Sequence, residues 1–330
     1  MYLLDWNFLK EGDIILSRKD SRESRLIRRE SKSDYSHAAL YMGTLHCIHS
    51  DGLGVESQNI QRLLFESEKD VVVLRLSQEP EKHILDKIMI FARRKIGTEY
   101  SSSETRLSLA NPNEHAKEEN RQFCTRFVAQ AYEYAGVNIV PNPAYCTPQN
   151  IYQSKLLTEV NCKLLKASDE EIRFTEETED LLSRETDARN KILNDCRNLT
   201  NLDIQTYGQL AEFVKGNPEC ENEIITILRE SNFLEIIGSD KESNPWHYDY
   251  SEFIKYYVSP DKRKEVAHVL VSQCPELRKR YAQTLESLKF DYAFLQQRYF
   301  LILIEKFEQL TELCLQMETV GHQALNEYLN

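Results

Sequence analysis

The chain has 330 residues, 41% hydrophobic and 10% aromatic, a composition that fits globular material and excludes an intrinsically disordered chain. Its net charge of −12 is unevenly placed, with 22 Lys/Arg and 22 Asp/Glu in residues 1–165 but 19 and 31 in residues 166–330. A neutral front and an acidic back suggest two domains, 1–165 and 166–330, and exclude nucleic acid as a main partner, because phosphate binding needs a concentrated basic surface.

The opening MYLLDWNFLKEGD has neither a basic n-region nor a small-residue cleavage site, and no apolar run approaches the roughly 18 residues of a membrane span. A soluble, cytoplasmic protein with no transmembrane segment is expected. Five short segments then read as strands: Asp13–Ser17, His37–Met42, Leu45–Ser50, Gly54–Ser57 and Val71–Leu76. The polar stretch from Arg18 to Asp34 has room for one short helix. Residues 84–96 place Ile84, Leu85, Ile88, Met89, Ala92 and Ile96 on one helical face, with Gly97 as the stop. The segment 98–121, with its Asn111-Pro112-Asn113 turn, reads as a loop. A helix follows from Cys124 to Ala135, and Thr147-Pro148 reads as a helix cap with proline at the first position.

Beyond residue 168 the pattern is helical, over 169–198, 202–215, 219–233, 250–258, 261–271 and 276–326, with a break expected at Cys274-Pro275. The last segment is amphipathic and suits a bundle helix or a short coiled-coil arm. Strands first and helices afterwards indicate an α+β domain followed by an all-α one.

Eight cysteines form no CxxC pair, so free thiols are expected, with neither a metal site nor a cofactor. Cys124 stands apart because it opens a helix, where backbone N–H groups and the helix dipole favour a thiolate and can hold an oxyanion. A nucleophilic cysteine needs a base within reach. His37 lies in the strand SDYSHAALYMG, where a satisfied core histidine is the commoner finding. A three-residue turn over 42–44 sets His37 opposite His49, on one face of the sheet. Glu56, in GVES, is the competing carboxylate, lying beyond that hairpin. Tyr35 and Tyr41 offer hydroxyls near His37 for substrate binding, although packing is the usual fate of such tyrosines. The cations between Arg18 and Lys32 can attract an anionic substrate, but Asp20, Glu23 and Glu30 are interspersed and favour a solvated face.

Taken together, SDYSHAALYMG, the strand ending at His49, Gly54-Val55, the run Lys95-Ile96-Gly97-Thr98-Glu99-Tyr100, FCTRFVAQAYEYAG and Thr147-Pro148-Gln149 resemble the permuted NlpC-like papain-fold proteins. The YiiX-like group is the nearer resemblance and the lecithin:retinol acyltransferase group the more distant. It covers residues 10–155. It implies a circularly permuted papain-like domain, a small antiparallel sheet plus helices, with Cys124 as nucleophile, His37 as general base and His49 as the residue that orients the base. The YiiX-like group has glutamate at that third position and the acyltransferase group histidine, so Glu56 stays as the alternative orienter. Tyr100 and Pro148 match family positions near the cleft, where an architectural role is equally open.

The reading that follows is a cysteine-dependent hydrolase or acyltransferase that cleaves a peptide or lipid amide or ester through a thioester acyl-enzyme. The alternative is an inactive papain-like module whose helical domain binds a protein partner.

Overall fold

The structure, a computed structural model, describes residues 1–110 and 120–327. The Asn111-Pro112-Asn113 turn lies outside the described residues. The chain divides into two compact units, one of Met1–Leu193 with Asp203–Gly208, the other of Asn194–Leu202 with Gln209–Asn330. Among the described residues, no helix is long and apolar enough to cross a membrane.

The strands are β1 (Tyr2–Leu4), β2 (Ile14–Ser17), β3 (His37–Tyr41), β4 (His46–Asp51), β5 (Gly54–Asn59), β6 (Val71–Leu76), β7 (Leu157–Glu159) and β8 (Leu164–Lys166). Six of them make an antiparallel sheet in the order β5-β4-β3-β2-β6-β7, while β1 pairs with β8 and bridges to Phe65. The helices of this unit are α1 (Arg22–Ser31), α2 (Lys82–Arg94), α3 (Ser102–Ala110), α4 (Cys124–Tyr134), α5 (Pro148–Tyr152), α6 (Asp169–Glu177) and the greater part of α7 (Leu181–Thr200).

Alternation along the strands feeds two cores. Ile14, Leu16, Ala38, Leu40 and Ile48 bury their side chains against Ile88 and Ala92 of α2 and Phe127, Val128 and Ala131 of α4. Ile15, Ala39, Tyr41, Cys47, Val71 and Val73 fill the other face with Leu4, Leu9, Ile60 and Phe65. A period of two along each strand is what lets one strand serve both layers.

Helix α3 falls where the sequence suggests a loop. Ser101 Oγ accepts from the Glu104 N–H, and Glu104 is buried against Arg126 with a contact of 2.5 Å. A helix held by a cap and a buried ion pair leaves little apolar periodicity to read.

The second unit is helical: α8 (Tyr207–Gly216), most of which belongs to it, α9 (Glu221–Glu230), α10 (Ile236–Ser243), α11 (Tyr250–Tyr256), α12 (Pro260–Leu295) and α13 (Arg298–Asn326). The expected break at Cys274-Pro275 does not occur. Helix α12 continues through Pro275 for 36 residues, and the chain turns at Gln296, whose φ is 55°. Packing overrides the proline: Ala267 and Leu270 share a core with Val320 and Ala324 of α13. Gly321 permits this approach, since a Cβ there would stand 3.0 Å from Leu270 Cβ.

Candidate active site

The hairpin of β3 and β4 positions two histidines. Its turn is longer than the expected one, with Gly43, Thr44 and Leu45 all left-handed at φ of 72°, 51° and 58°. Tyr41 therefore pairs with Cys47 and Ala39 with His49, so that His37 is not directly opposite His49. The difference is two residues, which leaves both imidazoles on one face because side chains alternate with that same period. They meet diagonally, with His37 Nε2 3.2 Å from His49 Nδ1. The rings stand nearly perpendicular at 81°.

Strand β5 brings in the carboxylate that lies beyond the hairpin in sequence. His49 is the direct partner of Glu56 in the β4–β5 ladder, and its Nε2 lies 3.6 Å from Glu56 Oε1. That Nε2 is buried and has no hydrogen-bond partner among the described residues. His49 and Glu56, alternatives in the sequence, stand instead in series: His37, then His49, then Glu56.

Burial sets the electrostatics of this row. His37 is driven well below the usual imidazole pKa by desolvation, with the His49 and Lys19 charges adding to it. Desolvation lowers His49 too, against the opposing pull of Asp51. The Glu56 carboxyl is pushed up to about 7 by burial and by Asp51, while a hydrogen bond from Thr186 and the Arg189 charge work the other way. Two neutral imidazoles beside a carboxyl that titrates near neutrality make a proton-holding row. His49, Asp51 and Glu56 also present donor atoms within 4.8 Å of one another, a spacing open to a metal ion. Lys19 and Arg189 bring positive charge to the same groups and oppose a cation there.

Cys124 opens α4, and Phe123 at the N-cap supplies no side-chain hydrogen bond, so backbone N–H groups there are left for other acceptors. The backbone N–H groups of Ala38, Thr125 and Cys124 itself stand close enough to the sulfur to pull its pKa down. Ala38 directly follows His37 in β3, past the end of the β3–β4 ladder, so the sulfur sits one peptide from the histidine backbone. The expected depression of the thiol pKa is not found. Burial outweighs the three N–H donors and pushes the Cys124 thiol up to about 11.

Tyr100 pairs through its backbone with Gln122, two residues before Cys124. Its hydroxyl lies 3.1 Å from Thr105 Oγ1, whose single proton also has Ser101 O as an acceptor at 2.8 Å. Burial raises its pKa, with Cys124 among the contributing charges, as expected for a phenol close to the sulfur. Its place in KIGTEY is the sequence signal for it. Tyr35 packs on the cluster that contains Cys124 and lies beside Tyr152, with ring centroids 5.8 Å apart. Tyr41 is not brought to the sulfur: it is buried in the other core, with Leu45 N–H donating to its hydroxyl. All eight cysteines are free.

Residues 8–163 match the model of the permuted papain-like amidase family, YaeF/YiiX, C92. Among solved structures, metalloprotein YiiX from Escherichia coli O157:H7 is similar at 21% identity, covering 47% of this chain and 97% of that one, with a TM-score of 0.38. No curated protein matches. Residues 8–163 thus make a permuted papain-like domain resembling the YaeF/YiiX amidases.

Proposed function

We propose that the first unit is a cysteine-dependent hydrolase of amide bonds, with Cys124 as nucleophile, His37 as base, and His49 and Glu56 holding that base in series. The reading is carried by one observation. A row from His37 through the buried His49 to Glu56 starts at the residue next to Ala38, whose N–H acts on the Cys124 sulfur.

In this mechanism the thiol reacts from its neutral form. The Sγ–H proton passes to His37 Nδ1, the ring nitrogen that His49 does not occupy, as sulfur attacks the carbonyl carbon. The tetrahedral oxyanion is held by the Cys124 N–H at the start of α4 and by the Tyr100 hydroxyl. Collapse breaks the C–N bond, the amine leaves with the His37 proton, and a thioester remains. Water, deprotonated by His37, hydrolyses that thioester, or a second nucleophile takes the acyl group in its place. A small peptide or a lipid-like acyl compound is the substrate class, with Tyr35 at its edge and no nucleic acid involved. The acidic helical remainder serves as a surface for a protein partner.

An activated acyl ester tests the scheme. Incubation with p-nitrophenyl acetate should acetylate Cys124 in the wild type, with a loss of about 10²–10⁴ in rate for His37→Ala. Equal acylation in the two proteins would leave an inert papain-like module with a helical binding domain, the competing reading.

A further inference from the structure

We propose that Thr186 and Arg189 of α7, which lie beyond the segment matched to the amidase family, are positioning residues for this site and hold the Glu56 carboxylate toward His49. The proposal rests on the Cys124–His37 reading above. The family match ends at residue 163, whereas α7 begins at Leu181.

Three observations carry it. First, Arg189 Nη2 donates to Thr186 Oγ1 at 2.9 Å, and the two residues are only 4% and 1% exposed. A threonine hydroxyl has one proton, so having accepted from Arg189 it is free to donate to the carboxylate it faces, Glu56. Second, a buried guanidinium calls for compensating negative charge, and the groups that act on Arg189 are Glu185 first, then Tyr207 and Glu56. Third, the helix is seated on the sheet rather than loosely apposed. Asn190 Nδ2 donates to Leu53 O at 2.9 Å, in the turn between β4 and β5. A Cβ at Gly97 would meet Leu193 Cδ1 at 2.7 Å and Gln205 O at 2.9 Å, so the loop before Tyr100 is moulded to this helix and to the segment that follows it.

The result is one row of side chains from Arg189 through Thr186, Glu56 and His49 to His37. Its outer end comes from outside the matched segment. The other charged groups facing Glu56 are Asp51 of β4 and Asp180 just before α7.

The experiment measures the acylation rate constant with p-nitrophenyl acetate for wild type, Thr186→Val, Thr186→Ser, Glu56→Gln and the Thr186→Val/Glu56→Gln pair. Loss of the hydroxyl should slow acylation by about threefold to tenfold, and serine should restore it to within about twofold. The double variant should be no slower than Glu56→Gln alone, since Thr186 acts through that carboxylate. Should Thr186→Val melt below the assay temperature, Thr186→Ala takes its place in the cycle. Wild-type rates for the hydroxyl-free variant, a silent Glu56→Gln, or losses that multiply in the double variant would each overturn the assignment. His37→Ala keeps the two levels apart. If it is slow while Thr186→Val is silent, only the α7 assignment fails, and if it acylates like the wild type, the Cys124–His37 reading fails first.

Discussion

His37 Nε2 and His49 Nδ1 lie 3.2 Å apart, so a single proton between them fixes the tautomer of both rings. With Glu56 Oε1 on the far side of His49, the proton arrangement that satisfies the row puts N–H on His49 Nε2 and on His37 Nε2. His37 Nδ1 then carries the lone pair. Reversing the row would set a lone pair against a carboxylate.

The first prediction concerns this order. His49→Ala breaks both links, whereas Glu56→Ala leaves His49 beside His37. We expect the His49 variant to lose more in kcat/KM than the Glu56 variant, and both to lose less than His37→Ala. Steady-state kinetics on an acyl-p-nitroanilide would rank the three, and a greater loss for Glu56→Ala would reassign the orienting role.

A second prediction concerns pH. The Glu56 carboxyl is raised to about 7, so the group passes from neutral to ionised across the neutral range. An ionised Glu56 supports imidazolium formation along the row, so kcat/KM should rise with pH through about 7. Glu56→Gln should flatten that limb. The stability effect has the opposite sign: a carboxyl with a folded pKa above its unfolded 4.5 stabilises most below that value, and the contribution is lost as pH rises toward 7. Profiles of rate and of urea midpoint should therefore slope in opposite directions for this residue.

The state of the thiol gives a third. With burial holding Cys124 up to about 11, alkylation by iodoacetamide should climb steadily through the alkaline range and show no plateau near neutrality. A plateau extending into mild acid would reveal a preformed thiolate–imidazolium pair and contradict the neutral-thiol mechanism.

The fourth concerns stability behind the site. Arg126 and Glu104 are each 1% exposed and pair at 2.5 Å, with Tyr145 Oη donating to the same carboxylate at 2.8 Å. Arg126→Met strands a buried carboxylate and should cost about 3–5 kcal/mol, read as a lower urea midpoint. Replacing both partners with apolar residues should cost less.

Much of this is legible in the residues alone. The strand Val71–Leu76 is readable with its observed bounds, and the start of α4 at Cys124 follows from its apolar spacing. The histidine face is legible too, since alternation survives a misjudged turn. What escapes depends on pairing between distant segments. Glu56 looks remote because the β4–β5 ladder that sets it against His49 leaves no local mark in GVES. Helix α3 is hidden because an ion pair with Arg126 holds it, and Pro275 misleads because α13 packs along α12 and compensates for the lost bond. The thiol misleads for a related reason: helix position is local, whereas the burial that decides its protonation is not.

The left-handed run Gly43–Leu45 carries an evolutionary corollary. Lengthening or shortening this loop by an even count leaves His49 pointing to the same side, so relatives can vary there while keeping a working imidazole. A one-residue slip of the β3–β4 register would send His49 through to the opposite layer and uncouple it from His37 and Glu56 at one stroke.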